Sequence, residues 1–361
     1  MSVNGGMLRI ARQRKGFPQG EAAERLGVAQ ATLSRSENGL IEPADEIVDR
    51  ASTVYGLPRG FFYQPDQVYG APVSVHPMWR RKSDVTVRDM DRIVAEINLR
   101  IMHVRRLLEA AEIGDGFGIP RLDIEDYGDP ERVAALVRAH WKVPQGPIHN
   151  LTTLVEQAGV IVVHSSLGET AVSGVTFAVP GIPPLIMLNA EQPADRLRFT
   201  LGHELGHLVM HRFPTPQMED EANAFAGALL MPAADIRPYF SGRRVDFSLL
   251  AALKPEWKVA MQSLLMRARS LGMVSPNQER YLWQQFNTRR LRLREPPELD
   301  FPIEKPGTMG SMIRLHMDSL GYGLKELEAL LHMRADEILA FHGVDAWPTP
   351  RGGPTLRLVR E

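Results

Sequence analysis

The sequence predicts a multidomain, mainly α protein with a small α+β unit: an N-terminal helix-turn-helix bundle, an α+β domain and a helical C-terminal region. Three observations predict it. Residues 7–62 read as short helices separated by Gly and Pro, with no strand-like alternation. Three short β-type segments lie between Gly159 and Ala190. Two helical stretches follow them, and the first carries His203-Glu204-Leu205-Gly206-His207. At 361 residues the chain has room for two or three domains, each burying its own core. The expected divisions are 1–66, a linker and long helix at 67–112, then 113–245 and 246–361.

Composition narrows the chemistry. A hydrophobic share of 44% and a charged share of 24% are ordinary for globular proteins and exclude disorder. The apolar runs at 160–163 and 185–188 are far too short to cross a bilayer, and the N-terminus lacks the basic-then-apolar pattern of a secretion signal. A soluble, cytoplasmic protein that does not engage membranes is expected. The chain has no cysteine, so any zinc must be held by histidine and carboxylate. With a net charge of −1 there is no bulk attraction to nucleic acid, and DNA binding requires a local surface.

Within the first module, Ala23, Leu26, Val28 and Leu33 can fill the wedge between two short helices that meet at Gly27. In a helix-turn-helix the second helix enters the major groove, which makes Gln30, Thr32, Ser34 and Arg35 the candidate base readers. Gln19, at the start of the preceding helix, suits a phosphate, as do Arg12, Arg14 and Lys15. Residues 1–62 carry eight Lys or Arg against seven Asp or Glu, so affinity for double-stranded operator DNA must come from pairing two modules.

A linker with Pro65, Gly70, Pro72 and Pro77 leads to one long helix at 86–112. Its apolar residues Met90, Val94, Ile97, Ile101, Val104 and Leu108 alternate spacings of four and three, an a/d register. Two readings stand side by side: an amphipathic helix packed on its own domain, and a coiled coil that makes a homodimer. Strands are expected at 160–164, 172–179 and 184–189, and helices at 194–211 and 219–231, the last two separated by Phe213-Pro214-Thr215-Pro216. Further helices are expected at 249–273 and 309–342. Residues 320–342 have the apolar rhythm of a helical trio, but Asp336 and Glu337 stand where a recognition helix would need neutral or basic groups. That trio reads as a packing or partner-binding bundle.

On the helix at 194–211, rotation of about 100° per residue puts His203 and His207 on one strip and Leu201, Leu205, Leu208 and Val209 on another. Gly202 and Gly206 form a flat track that admits close approach of another helix. A zinc site of this kind needs a third protein ligand. His211 lies about 12 Å along the axis from His203, too far to share the ion on a straight helix. The glycine turn and third histidine of another zincin arrangement are missing. The ligand must come from the next helix, among Glu219, Asp220 and Glu221. Projection places Glu219 nearest the edge of the apolar face of Ala222, Phe225, Ala226, Leu229 and Leu230, while Asp220 points away. Glu219 is preferred, with Glu221 as the alternative and Asn223, one turn on, able to orient a ligand. Glu204 is the candidate general base. For the oxyanion, His211, Arg212 and Tyr239 are the nearby candidates.

The stretch Gln19-Gly20-Glu21-Ala22-Ala23-Glu24-Arg25-Leu26-Gly27-Val28-Ala29-Gln30-Ala31-Thr32-Leu33-Ser34-Arg35-Ser36-Glu37-Asn38-Gly39 resembles the Xre/Cro repressor family, except that Pro18 and Ala29 stand where capping Ser or Thr is usual. Phe199-Thr200-Leu201-Gly202-His203-Glu204-Leu205-Gly206-His207, with Glu219-Asp220-Glu221-Ala222-Asn223-Ala224-Phe225-Ala226 and Leu229-Leu230-Met231-Pro232, resembles the ImmA/IrrE metallopeptidase family. That likeness implies a gluzincin-like metallopeptidase domain, zinc on His203, His207 and Glu219, and proteolysis of helix-turn-helix repressors. Together the readings lead to a DNA-binding regulator whose zinc endopeptidase cleaves itself or a partner repressor. The alternatives are a regulator whose metal pocket is a ligand sensor or structural site, and a peptidase whose helix-turn-helix only captures its substrate.

Overall fold

The computed structural model describes residues 2–70, 86–114, 116–167, 172–344 and 356–358. Pro72 and Pro77 of the expected linker lie outside the described residues. The N-terminal stretch folds into four short helices: α1 (Gly5–Lys15), α2 (Gln19–Leu26), α3 (Gln30–Glu37) and α4 (Asp45–Tyr55), closed by a 3-10 turn at Arg59–Tyr63. Gly16 and Gly27 end α1 and α2 in the left-handed conformation that glycine adopts without a Cβ penalty. No side chain caps α2 or α3 from Pro18 or Ala29. Their stability therefore rests on packing of Ala22, Ala23, Leu26 and Leu33 against Met7, Ile10 and Val48.

Helix α5 (Val87–Leu107) begins at Thr86, whose side chain and that of Asp89 satisfy each other's backbone N–H groups. It stops short of the predicted end, because Ala111–Ile113 instead form β1, paired antiparallel with β5 (Leu356–Leu358) from near the end of the chain. That partner is more than two hundred residues away in sequence, so a local pattern does not reveal it. The helix is buried on two sides. Ala95, Leu99 and Met102 complete the core of the N-terminal bundle, while Met90, Ile97, Ile101 and Val104 join the core beneath the sheet. The a/d seam is thus covered within the molecule, which corrects the coiled-coil reading: these residues are not available to a second copy. Asn98, also buried, exchanges hydrogen bonds with the backbone N–H and carbonyl of Tyr69, at 2.7 and 2.9 Å.

After α6 (Ile124–Tyr127), α7 (Pro130–His140) and α8 (Leu151–Gln157), the chain builds a three-stranded sheet from β2 (Ile161–Ser165), β3 (Gly174–Phe177) and β4 (Leu185–Asn189). The order is β2-β4-β3, with β4 parallel to β2 and antiparallel to β3. Side chains alternate across it. Val162, Ile186 and Leu188 face one core, and Ile161, Val163, Leu185 and Met187 face the core that α5 shares. This explains why β4 is apolar from Leu185 to Leu188 and buried throughout.

Helix α9 (Ala194–Met210) lies on the first face and packs against α10 (Met218–Leu230). Beyond them come α11 (Ala233–Phe240), α12 (Phe247–Trp257), α13 (Met261–Ser270) and α14 (Pro276–Thr288). The predicted helix at 249–273 is two helices, broken where Lys258 takes a left-handed conformation at φ 51°. Leu250, Trp257, Leu264 and Phe286 share a core with Leu201 and Phe225, so this core runs across residue 245, where the sequence reading put a division. The predicted helical stretch at 309–342 forms a trio, α15 (Thr308–Leu320), α16 (Leu324–Leu331) and α17 (Ala335–His342), so that 320–342 holds two helices where three were expected; the trio packs Met312, Leu327, Leu331 and Ile338 into the core under the sheet. No helix among the described residues is long and apolar enough to cross a membrane.

Candidate metal centre and nucleic-acid interface

The glycine track predicted on α9 is used by α10. A Cβ on Gly202 would sit 3.3 Å from Ala226 Cβ, and one on Gly206 would sit 3.0 Å from the Phe225 ring. This close approach brings the first turn of α10 over the histidine strip. His203 and His207 present their Nε2 atoms 3.0 Å apart. The Glu219 carboxylate completes the triangle, at 3.6 Å from His203 Nε2 and 3.4 Å from His207 Nε2. Donors about 2.0–2.2 Å from one ion in tetrahedral array stand about 3.3–3.6 Å from each other; the two separations to Glu219 fall in that range and the one between the histidines is slightly shorter, so the three donors are close enough to share a cation.

Proton positions strengthen the fit. Asn223 Oδ1 lies 3.0 Å from His203 Nδ1, so that nitrogen carries the proton and Nε2 keeps its lone pair. Glu221 accepts from His211 Nε2 at 3.0 Å, which leaves His211 Nδ1 to accept from His207 Nδ1, also at 3.0 Å. His207 Nε2 is then a lone pair as well. Burial, and next the neighbouring His207, hold His211 below its ordinary pKa. Burial alone would raise the Glu219 pKa, but the two imidazoles hold the carboxyl well below the usual range. Its Oε1 is buried and makes no hydrogen bond. Two imidazole nitrogens and one carboxylate converge on one point while the other ring nitrogens are held from outside, an arrangement suited to a metal ion.

Glu204 is buried on the side of α9 that faces the sheet, with Thr176 of β3 donating to its Oε2 at 2.6 Å. Burial works against the charged form of His203, yet Glu219, Glu204 and Asn223 outweigh it and raise its pKa, which puts Glu204 within electrostatic reach of the cluster. Strand β3 comes this close only because residue 174 is glycine: a Cβ there would lie 2.6 Å from Thr200 Cγ2 and 3.1 Å from Glu204 Cγ. The sequence reading missed Gly174, Thr176 and the pairing of His211 with Glu221. The oxyanion candidates are committed elsewhere: His211 to His207 and Glu221, Arg212 to Asp123, and the Tyr239 hydroxyl to Glu256.

In the N-terminal bundle, Gln30 and Arg35 are exposed on α3, Thr32 and Ser34 are half-buried, and Leu33 turns inward. The phosphate assignments of Arg12 and Arg14 need correction. Arg12 is buried and forms a bidentate pair with Glu37, at 2.6 and 3.0 Å, while also donating to the Phe17 carbonyl. It belongs to the core because it shares a face with Leu8 and Ala11. Gln19 donates to the same Glu37 at 3.0 Å, and Arg14 pairs with Glu337 of α17.

Residues 155–269 match the family model of the IrrE N-terminal-like domain, a peptidase family, and residues 5–60 match that of a helix-turn-helix domain. No curated protein matches the chain. The first match contains every member of the His203, His207 and Glu219 cluster, and the second contains α1 to α4. This polypeptide therefore joins a helix-turn-helix domain to an IrrE N-terminal-like, metallopeptidase-like domain.

Proposed function

We propose that the protein is a cytoplasmic, DNA-binding transcriptional regulator with a zinc-dependent endopeptidase that cleaves itself or a partner repressor. The observation that carries the enzymatic half is the convergence of two imidazole lone pairs and one carboxylate beside a second, separately held carboxylate, Glu204. Zinc held by His203, His207 and Glu219 would supply Lewis acidity, acidifying water and polarising a peptide carbonyl. Glu204 takes the proton from the attacking water and returns it to the leaving amine nitrogen. Thr176 fixes one oxygen of that carboxylate, so the other is the one that moves the proton. Among the described residues β3 pairs with β4 alone, and its second edge can align an extended peptide by backbone hydrogen bonds.

The regulatory half rests on the polar outer face of α3, where Gln30, Thr32, Ser34 and Arg35 read base edges and Gln19 approaches the backbone. Near-balance of charge in the module favours two copies on one operator. Having a repressor-like head and a peptidase in one chain supports a substrate of the same kind, either this head or that of another repressor. The test compares zinc-loaded wild type with Glu204→Gln for cleavage of the protein itself and of co-expressed helix-turn-helix repressors. Cleavage by wild type alone is expected; identical behaviour of the two proteins removes the enzymatic reading and leaves a non-proteolytic regulator.

A further inference from the structure

The surface along α14 carries arginines that no carboxylate answers. Residues 243–247 run beside this helix, with Gln278 Nε2 donating to the Val245 carbonyl at 2.7 Å and the Phe247 ring 5.4 Å from that of Phe286. Arg243 and Arg244 precede Phe247, Arg280 lies on the helix, and Arg289, Arg290 and Arg292 follow its end. All are exposed, and among the described residues none of them makes an ion pair. Two are held in place by aromatic rings. The Arg289 guanidinium lies 4.3 Å from the centre of Phe247, and that of Arg292 lies 4.5 Å from the centre of Trp283 while donating to Asn287 at 2.7 Å. Stacking of this kind fixes a guanidinium and leaves most of its N–H donors unused. Within 243–247 and 276–292 the acidic side chains are Asp246, which caps α12 through the Leu249 N–H, and Glu279, which Arg269 neutralises. Nearby Arg294 has its own partner in Asp300. The negative end of the helix dipole accounts for Arg289 and Arg290, but not for Arg243, Arg244, Arg280 and Arg292.

We propose that this arginine face is a second DNA contact of the regulator, gripping the phosphate backbone of a duplex without reading its sequence. Guanidinium forks match pairs of phosphate oxygens, and the unpaired cations here are arginine throughout. The 13 residues of α14 span about 20 Å, a length over which one strand of B-DNA presents about six phosphates. A protein partner would call for an apolar centre with charge at its rim, whereas here the charged groups lie over the rings themselves. The head carries nearly as many acidic as basic residues, so a backbone contact elsewhere on the chain supplies attraction that the head lacks. The inference rests on DNA binding by the head, and adds affinity to it without specificity.

Fluorescence anisotropy of the full-length protein with a labelled duplex of random sequence, titrated across a range of salt concentrations, tests this. The triple variant Arg243→Gln, Arg244→Gln, Arg290→Gln alters exposed side chains that form no ion pair, so its melting temperature should match that of wild type. Its binding is expected to weaken about ten-fold or more, and its slope of log K against log salt to shrink by about two to three. Arg280→Gln alone should shrink that slope by about one. Gln30→Ala with Arg35→Ala separates the two contacts: this head variant is expected to lose preference for a selected duplex yet keep its affinity for the random one, until the triple variant is added. Unchanged affinity and slope in the triple variant overturn the proposal even where the head reads DNA. Binding of polyglutamate as tight as that of the duplex also overturns it, in favour of an acidic protein partner.

Discussion

Thr176 Oγ1 stands 2.6 Å from Glu204 Oε2, a hydrogen bond from the edge strand of the sheet to the carboxylate between the two histidines. The strand that can align a peptide thereby also orients the base. Thr176→Val removes the donor at nearly constant volume. Glu204-dependent cleavage is expected to slow about 10–100-fold with zinc content unchanged, as for other groups that orient a catalytic side chain. Thr176→Ser should restore most of the rate. Equal rates in Val and Thr proteins would show that Glu204 needs no such partner.

Gly174 sets the distance between that strand and α9. Gly174→Ala forces a methyl group against Thr200 and Glu204, and a loss of about 1–3 kcal/mol in urea unfolding is expected, as for other overpacked sites. Cleavage should fall as well, since the strand must retreat from Glu204. Unchanged stability and rate would mean that the helix yields freely.

Asn223 and the His211 to Glu221 pair each fix the ring of one metal-binding histidine. Asn223→Ala and Glu221→Gln are each expected to weaken zinc binding about 10–100-fold, measured by competition with a chromogenic chelator. Retention of wild-type affinity by Glu221→Gln would rule out the relay through His211.

Two arginines of the head should behave in opposite ways. Arg35→Ala, like Gln30→Ala, is expected to lower affinity for a duplex selected from random sequence by about 1–3 kcal/mol while leaving the melting temperature alone. Arg12→Ala leaves Glu37 buried without its partner and is expected to cost about 3–5 kcal/mol of stability. A stable Arg12→Ala protein with weakened DNA binding would restore the phosphate role to Arg12.

His103 of α5 and His342 of α17 form a buried pair, with His103 Nδ1 and His342 Nε2 2.8 Å apart. Burial, and then Arg106 and Arg100, push the His103 pKa down to about 3, and burial and His103 depress that of His342. A depressed folded-state pKa gives stability that is present above the unfolded value of about 6.5 and lost as pH falls toward 3. Acidification through that window should loosen α17 from α5. His103→Gln with His342→Gln is expected to flatten the fall in melting temperature with pH, and parallel curves for the two proteins would exclude the pair as its cause.

What the sequence disclosed about the site follows helical period. His203 and His207 are one turn apart, and Glu219 is found by projecting the next helix, because both relations are local. Thr176 and Gly174 act on Glu204 from a strand about thirty residues earlier, and nothing within either segment announces their meeting. Arg12 was misplaced for a related reason: a charged residue on an apolar face looks like surface until Glu37, twenty-five residues on, is seen to neutralise it. The heptad on α5 was a true sign of burial, but periodicity does not say whether the covering surface belongs to the same chain. Here it does, in the sheet and the C-terminal trio.

Helix α5 also changes what a protein chemist should see if the chain cuts itself. Ala95, Leu99 and Met102 are embedded in the head, and Leu99 and Met102 each contribute about 1.5–3 kcal/mol there by burial. A break between the 3-10 turn at Arg59–Tyr63 and the start of α5 severs the backbone but leaves that plug seated. Two bands on a denaturing gel would then accompany one particle on a sizing column. Liberation of the head is a second event, governed by how readily the plug is drawn out.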